Sequence, residues 1–303
     1  MQDSIWSATR KLAAVPLYLA IYRLPLPARR RALFTLKQAR LPHFSNPVSF
    51  NDKINWRVLN DHRPLLEWTC DKLAMKDRAA GVADLHIPKT LWSGTDVGAL
   101  ASAELPEHWV LKPNHRSGLV YFGAGQPEIA QLKARTAGWL RQGHYDELGE
   151  WAYSKARPLL LAEEFIGTPG PPPTDYKFYV FDGAVEAILV NVGRHTTHAA
   201  RMYLPDWTPM DVTFAGYPLP PAEPAPPRLD RMLAIALELG AGFDFIRIDL
   251  YNISGSIFFG EFTPYVGSGF IRYVPASFDF DLGRKWRLPD LSAAATPAPQ
   301  TTG

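Results

Sequence analysis

The spacing of apolar positions changes character along the chain. Residues 51–80 place Ile54, Val58 and Leu59, then Leu65, Leu66 and Leu73, at intervals suited to one helical face, and so predict a helical entry into a first lobe. From Trp109 onward the apolar residues fall in short runs, at 109–111, 119–122, 159–162, 178–181 and 185–190, which predict strands. Asp182-Gly183 between the last two predicts a tight hairpin, because both central residues of a type I′ turn need positive φ. A helix is expected over Leu229–Leu239, closed by Gly240, followed by a second hairpin with strands at 245–251 and 256–262 joined through 252–255. The sum is an α+β protein with mainly antiparallel sheets. It divides into a basic helical N-terminal region (1–49), a first lobe (50–158), a second lobe (159–290) and a disordered tail (291–303). No internal repeat is visible, and the Pro- and Gly-rich stretches 170–173 and 218–227 read as loops.

Composition narrows the setting. With 303 residues, 47% hydrophobic and 20% charged, the chain can build a core large enough for two lobes. Cys70 is the only cysteine, which excludes an internal disulfide and a Cys-rich zinc site and suits a reducing, cytoplasmic location. Net charge is +2, yet residues 4–51 hold eight Lys or Arg and no acid, which leaves −6 for the remainder. The apolar stretch 12–22 is broken by Pro16 and falls short of the roughly 20 residues a membrane-spanning helix needs. Asp3 precedes the basic residues and no small-residue cleavage site follows an unbroken apolar run, so no secretory signal is expected. Arg23, Arg29, Arg30 and Arg31, beside Tyr18, Leu24 and Phe34, read either as a solvated helical face or as a docking surface. Such a surface would suit an anionic polymer or the anionic inner leaflet of the membrane; nucleic acid is not an expected partner.

Four segments carry candidate chemistry. In the first, a strand through Val110-Leu111 delivers Lys112 and then turns through Asn114, His115, Arg116, Ser117 and Gly118, a loop whose backbone N–H groups suit phosphate. In the second, an apolar strand ends at Glu163-Glu164 followed by Phe165-Ile166, an edge whose backbone can read a purine. In the third, Asp175 and Lys177 stand two apart at the start of a strand and share a face. The fourth is the most informative: Arg247 and Asp249 share one strand face, Glu261 and Thr263 share a face of the return strand, and the hairpin brings the two carboxylates together. Paired hard oxygens beside phosphates are what Mg2+ prefers, and an arginine beside them can stabilise developing negative charge. Each of the first three segments also has an ordinary reading, as a solvated lysine, a solvated acid pair or a cross-strand ion pair.

Taken in order, these segments resemble the ATP-grasp superfamily, and the wording of the chain resembles its TupA-like branch over about residues 50–282. The resemblance is carried by Phe50-Asn51-Asp52-Lys53-Ile54-Asn55-Trp56, Asp71-Lys72, Val110-Leu111-Lys112 with Asn114-His115, and Ala162-Glu163-Glu164. It continues through Asp175-Tyr176-Lys177-Phe178, Arg247-Ile248-Asp249-Leu250-Tyr251, Gly260-Glu261-Phe262-Thr263 and Gly267-Ser268-Gly269-Phe270. It implies two α+β lobes gripping ATP. Lys112 and a helix lysine, Lys76 or Lys72, would contact phosphates under the Ser117-Gly118 loop, with Glu163, Glu164 and Ile166 at the adenine and Asp175 at the ribose. Lys177 would reach phosphate or substrate, Arg247 would serve catalysis, and Asp249, Glu261 and Thr263 would hold Mg2+. Thr263 stands where many members carry Asn, and Leu119 where many carry a second Gly.

The activity this implies is a carboxylate–amine ligase that makes an acyl phosphate with ATP and then an amide. By family analogy the substrates are a uronic-acid-bearing polysaccharide or its precursor and an amino acid or peptide. Arg194 and Arg201, in a loop over 191–201, together with His115 and Ser268, are candidate substrate contacts, while His195 and His198 read as surface residues. A kinase acting on a sugar hydroxyl and a non-catalytic nucleotide- or glycan-binding protein remain open. A glycosyltransferase is disfavoured, because Asp279-Phe280-Asp281 alone has the Asp-x-Asp spacing and lies near the end.

Overall fold

The computed structural model describes residues 16–141, 143–167, 173–192 and 199–291. Residues 16–22 are helical, and the further helices include α1 (Leu26–Gln38), α2 (Phe50–Asn60), α3 (Lys72–Ala79), α4 (Ile129–Arg135), α5 (Gly143–Leu148), α6 (Trp151–Lys155), α7 (Leu229–Leu239) and α8 (Ser277–Lys285). The strands begin with β1 (Leu85–His86), β2 (Thr90–Gly94), β3 (His108–Pro113), β4 (Tyr121–Ala124) and β5 (Leu160–Glu164). They continue with β6 (Asp175–Phe181), β7 (Ala184–Val192), β8 (Ala199–Tyr203), β9 (Pro209–Met210) and β10 (Thr213–Phe214), then β11 (Phe245–Ile253), β12 (Ser256–Thr263) and β13 (Tyr273–Val274).

A seven-stranded sheet in the order β1-β12-β11-β6-β7-β8-β9 dominates, and a four-stranded sheet β2-β5-β3-β4 accompanies it. All the pairings are antiparallel except β1 with β12. The α+β reading therefore holds. Strand β5, grouped by the sequence with the second lobe, instead pairs with β2 and β3, so the smaller sheet runs past the expected boundary at 158. The helical entry expected over 51–80 is present as two helices, α2 and α3, separated by a short 3-10 turn at Pro64–Leu66. Asp61 ends the first in an extended conformation and Pro64 cannot continue an α-helical ladder, which is why the periodic apolar pattern did not become one rod. The strand expected at 119–122 starts two residues later, and the hairpin expected through 252–255 is a tighter turn, Ser254-Gly255, both at positive φ. Residues 1–15 and 292–303 lie outside the described residues.

The two faces of the large sheet differ, and that difference creates the site. On one face Phe178, Val180, Ile188, Val190, Ile246, Ile248, Leu250, Ile257 and Phe259 join Met232, Ile235 and Ala236 of α7 and Met75 and Ala79 of α3 in a continuous core. The opposite face is divided along its strands. One half, with Tyr179, Phe181, Ala187 and Phe245, is covered by Phe50 and Ile54 of α2 and by Phe278 and Leu282 of α8. The other half of the same face carries Asp175, Lys177, Arg247 and Asp249. A smaller core, with Trp109, Leu111, Leu160, Ala162 and Leu132, backs the four-stranded sheet.

Helix α3 joins the two sheets. Asp71 caps it by accepting from the Ala74 N–H at 3.0 Å, and Arg157 grips the same carboxylate with Nε and Nη2, each at 2.9 Å. Those contacts hold Asp71 ionised, lowering its pKa to about 2 against the opposing effect of burial. While Met75 and Ala79 bury against the large sheet, Lys76 reaches the small one.

One irregularity sets the parity of β12. Ile257 and Phe259 point into the core, so strict alternation would send Glu261 there too. The register shifts at Gly260, and Asp249 pairs with Glu261 while Leu250 pairs with Phe259. This bulge turns Glu261 and Thr263 to the charged face and Phe262 to the core. A Cβ at Gly260 would stand 2.7 Å from the Asp249 carbonyl oxygen, so the bulge tolerates no side chain without backbone movement. Gly260→Ala is expected to cost about 1–3 kcal/mol, the usual price of overpacking, and to lower the thermal midpoint in a calorimetric scan.

Candidate functional site

Strand register assembles the first cluster. Asp249 on β11 lies opposite Lys177 on β6 and opposite Glu261 on β12, and Arg247 lies opposite Thr263. Arg247 donates from Nε and Nη2 to the two oxygens of Asp249, at 2.6 and 2.7 Å, in a fork that fixes both planes. Its Nη2 also donates to the Thr263 hydroxyl at 3.0 Å and lies 3.5 Å from Glu261 Oε1. Lys177 bridges Asp249 and Asp175, the latter at 2.6 Å. Burial would raise the pKa of Asp249, but Arg247 and Lys177 outweigh it and hold the carboxyl below its ordinary range. The arginine is raised in turn: burial opposes its charge, and Asp249 more than restores it.

The two carboxylates differ in openness. The Asp249 side chain is 3% exposed and that of Glu261 34%, so Glu261 is the one an incoming cation meets first. Among the described residues no three His, Cys, Asp or Glu side chains converge as a metal site. Two adjacent carboxylates with a hydroxyl nonetheless fit Mg2+, which binds through one or two carboxylates and completes its shell with water and phosphate oxygens.

The second cluster faces out from the small sheet. Glu163 of β5 forms an ion pair with Lys112 of β3 on one oxygen and with Lys76 of α3 on the other. Burial would raise the Glu163 carboxyl, but Lys112 and then Lys76 hold it below the usual range. An ammonium has three donors. Lys76 directs its own to Glu163, to the Pro88 carbonyl at 2.7 Å and to Thr90 Oγ1 at 3.0 Å. Lys112, with a quarter of its side chain exposed, shows Glu163 as its described partner, and is thus the better placed of the two to meet a phosphate.

Other expected residues make contacts within the chain. Lys72, one of two helix lysines expected at phosphate, turns its ammonium to the carbonyls of Arg116 at 2.5 Å and Asn114 at 3.4 Å. Burial lowers its pKa to about 8, with Glu261 the largest opposing influence. It therefore braces the loop after β3. His115 is buried with Nε2 at 3.2 Å from the Arg141 carbonyl, a contact that anchors that loop. Ser117 and Gly118 stand exposed at the loop tip, Gly118 at φ 76°, and the Ser117 hydroxyl bonds to Tyr153. Glu164 accepts from the Lys89 N–H at 2.8 Å, and Ile166 is half-buried just beyond β5.

Two of the substrate candidates are displaced from the cluster by strand parity and packing. Arg201 pairs with Val190, whose side chain belongs to the core on the opposite face, and donates to the Pro220 carbonyl at 2.9 Å while pairing with Asp211 at 3.2 Å. Ser268 is buried beneath Arg30, which donates to its carbonyl at 2.5 Å, to its hydroxyl at 3.3 Å, to Asn55 Oδ1 at 2.8 Å and to the Leu148 carbonyl at 2.6 Å. Arg194, His195 and His198 lie outside the described residues.

Sequence reasoning missed Glu150 and the strand position of Asn191, and it named Asn114 only as part of a phosphate-suited loop. Glu150 is buried beside Ser268 and Arg30, and burial pushes its carboxyl up to about 7. Asn114 accepts from the Leu73 N–H at 2.9 Å and donates to the Arg157 carbonyl at 3.0 Å, tying the loop to α3. Asn191 lies opposite Asp175 on the charged face, and the strand pattern at 185–190 stopped one residue short of it.

A family model described as TupA-like ATPgrasp matches residues 52–287. No curated protein matches the chain. Among solved structures it is similar to the D-alanine–D-alanine ligase from Bacillus anthracis complexed with ATP, at 16% identity over 65% of this chain and 53% of that one, with a TM-score of 0.38. The D-alanine–D-alanine ligase from Helicobacter pylori is 13% identical over 73% of this chain and 60% of that one, with a TM-score of 0.42. The ATP-grasp ligase PsnB complexed with its minimal precursor is 12% identical over 66% of this chain and 54% of that one, with a TM-score of 0.37. The matches thus span little more than half the length of these structures.

Burial separates two substitutions in this site. Asp249→Asn leaves Arg247 and Lys177 buried beside a neutral group and is expected to cost about 3–5 kcal/mol in denaturant unfolding, against less than about 1 kcal/mol for the exposed Glu261→Gln. A pH series tests Glu150. Its folded pKa of about 7 lies above the ordinary 4.5, so the folded state binds the extra proton and stability falls as pH rises from 4.5 to 7. Glu150→Gln is expected to remove that fall and to gain stability relative to the parent at pH above 7, read as unfolding midpoints across the range.

Proposed function

Because the chain belongs to the TupA-like ATP-grasp family, we propose that it is an ATP-dependent carboxylate–amine ligase working through an acyl phosphate. The observation that carries this reading is the cross-strand pairing of Asp249 with Glu261, flanked by Arg247 and Lys177, in a chain that also gathers Lys112 and Lys76 on Glu163. In this reading the adenine lies along the backbone of Glu163, Glu164 and Ile166, and Asp175 receives ribose hydroxyls. Lys112 holds phosphate oxygens beneath the Ser117-Gly118 loop. Asp249, Glu261 and the Thr263 hydroxyl or a water would hold Mg2+, which when bound screens phosphate charge.

The chain's own residues then act by position and charge. Glu163 pairs with Lys112 and Lys76 and holds both aimed before nucleotide arrives, so little reorganisation accompanies binding. A substrate carboxylate attacks the γ-phosphorus and ADP leaves; Arg247 and Lys177 stabilise charge spreading over the transferred group. An amine then attacks the acyl carbon, and phosphate departs as the amide forms. The acceptor we propose is a uronic-acid-type glycopolymer or its precursor and the donor amine an amino acid or peptide, by analogy with the cell-surface polymers associated with the family. The work is assigned to the cytoplasm, beside the inner face of the membrane.

The test is release of ADP and phosphate from Mg·ATP with amino acids and uronic-acid-bearing acceptors offered singly and together, with hydroxylamine to trap an acyl phosphate. ADP formation that needs both substrates, a hydroxamate, and a loss of about 100-fold or more in Glu261→Gln are expected. Phosphate transferred stably to a hydroxyl, or tight ATP binding without turnover, would contradict the ligase.

A further inference from the structure

The N-terminal arginines divide into two kinds. Arg30 is wholly buried, and Arg29 donates to the carbonyls of Asp146 and Glu147, each at 2.9 Å. Arg40 pairs with Asp52 and Asp279, each at 3.1 Å. These three are structural. Arg23 and Arg31 are exposed and enter no described ion pair, and residues 16–48 contain no acid at all.

Apolar side chains are exposed in the same region. Leu17 is 49% exposed, Leu19 60%, Leu36 43% and Leu41 72%. Leu17, Leu36 and Leu41 line a single open groove of about 660 Å³ together with Ile21, Ala32 and Arg31. The opposite side of α1 is fixed, since Leu33 and Phe34 pack with Ile21, Phe44 and Phe270. A rigid platform therefore presents leucines and unpaired cations to the outside.

We propose that this face docks on an anionic phospholipid leaflet, with the groove leucines at the acyl boundary and Arg31 and Arg23 among the headgroups. A sugar polymer offers no apolar phase for Leu17, Leu36 and Leu41. A second copy docking face to face would bring the arginines of both chains together, with no acid in residues 16–48 to neutralise them. A charged leaflet supplies both the apolar medium and the counter-charge. Among the described residues no helix is long and apolar enough to cross a membrane, so the contact is peripheral. The inference deepens the membrane-side location proposed above, and its assay requires no turnover, so either can fail alone.

The full chain is sedimented with vesicles of phosphatidylcholine alone and of phosphatidylcholine mixed with phosphatidylglycerol, at low and high salt. Binding to the anionic vesicles is expected to exceed that to the neutral ones by on the order of tenfold, the effect of two arginines at a charged surface, and to weaken with salt. Arg31→Glu should abolish the preference, and the pair Leu36→Gln with Leu41→Gln should reduce binding to anionic vesicles while ATP binding is unchanged. No binding, equal binding to both vesicles, or full retention by these variants overturns the proposal. Binding to a soluble polyuronate instead of vesicles, or a dimer in size-exclusion chromatography that the leucine pair abolishes, overturns it in favour of a polymer or a second copy.

Discussion

Asp249 is a carboxylate taken almost wholly out of water, and the penalty of that burial dictates what surrounds it. An ionised carboxylate in such a place must be met by paired, hydrogen-bonded cations or give up its charge. Arg247 from its own strand and Lys177 from the neighbouring one meet it, and each comes from a strand whose other face is bound into the main core. The cluster is therefore held as firmly as the sheet itself. Side chains on rigid strands keep their geometry better than side chains on loops, which is what electrostatic catalysis asks of a site.

The second half of the site repeats this logic, again with one buried carboxylate met by two cations. Here Glu163 is the buried acid that keeps Lys112 and Lys76 together, and α3 links the halves by burying Met75 and Ala79 on one sheet while sending Lys76 to the other. In both clusters each cation already has a carboxylate partner, so a bound nucleotide would exchange partners with it. Lys112, with a single described partner, is ready for that exchange; Lys76, with three, is bound more firmly.

Much of this was legible because strands declare their faces by alternation. Arg247 with Asp249, and Asp175 with Lys177, follow from spacing alone, and the Asp182-Gly183 turn fixes which strands are neighbours. What spacing does not encode is where alternation breaks. Glu261 reaches the charged face through the bulge at Gly260, and the sequence names that glycine without saying that the ladder skips it. Loop anchors were harder still: Lys72 and His115 carry phosphate-binding chemistry but are spent on carbonyls of the chain, which only tertiary contact reveals. Arg201 shows the same limit on a strand, since its face depends on the register with β7 and not on its own neighbours.

The proposed reading has Asp249 and Glu261 form one cation-accepting edge, with Lys112 receiving phosphate oxygens. It is tested most directly by a structure with Mg2+ and a non-hydrolysable ATP analogue. The account expects metal density between Asp249 and Glu261, the terminal phosphate within hydrogen-bonding reach of Lys112, and adenine against the backbone at Glu163, Glu164 and Ile166. Nucleotide bound elsewhere, or bound here with Asp249 still forked by Arg247 and no metal beside Glu261, would contradict it.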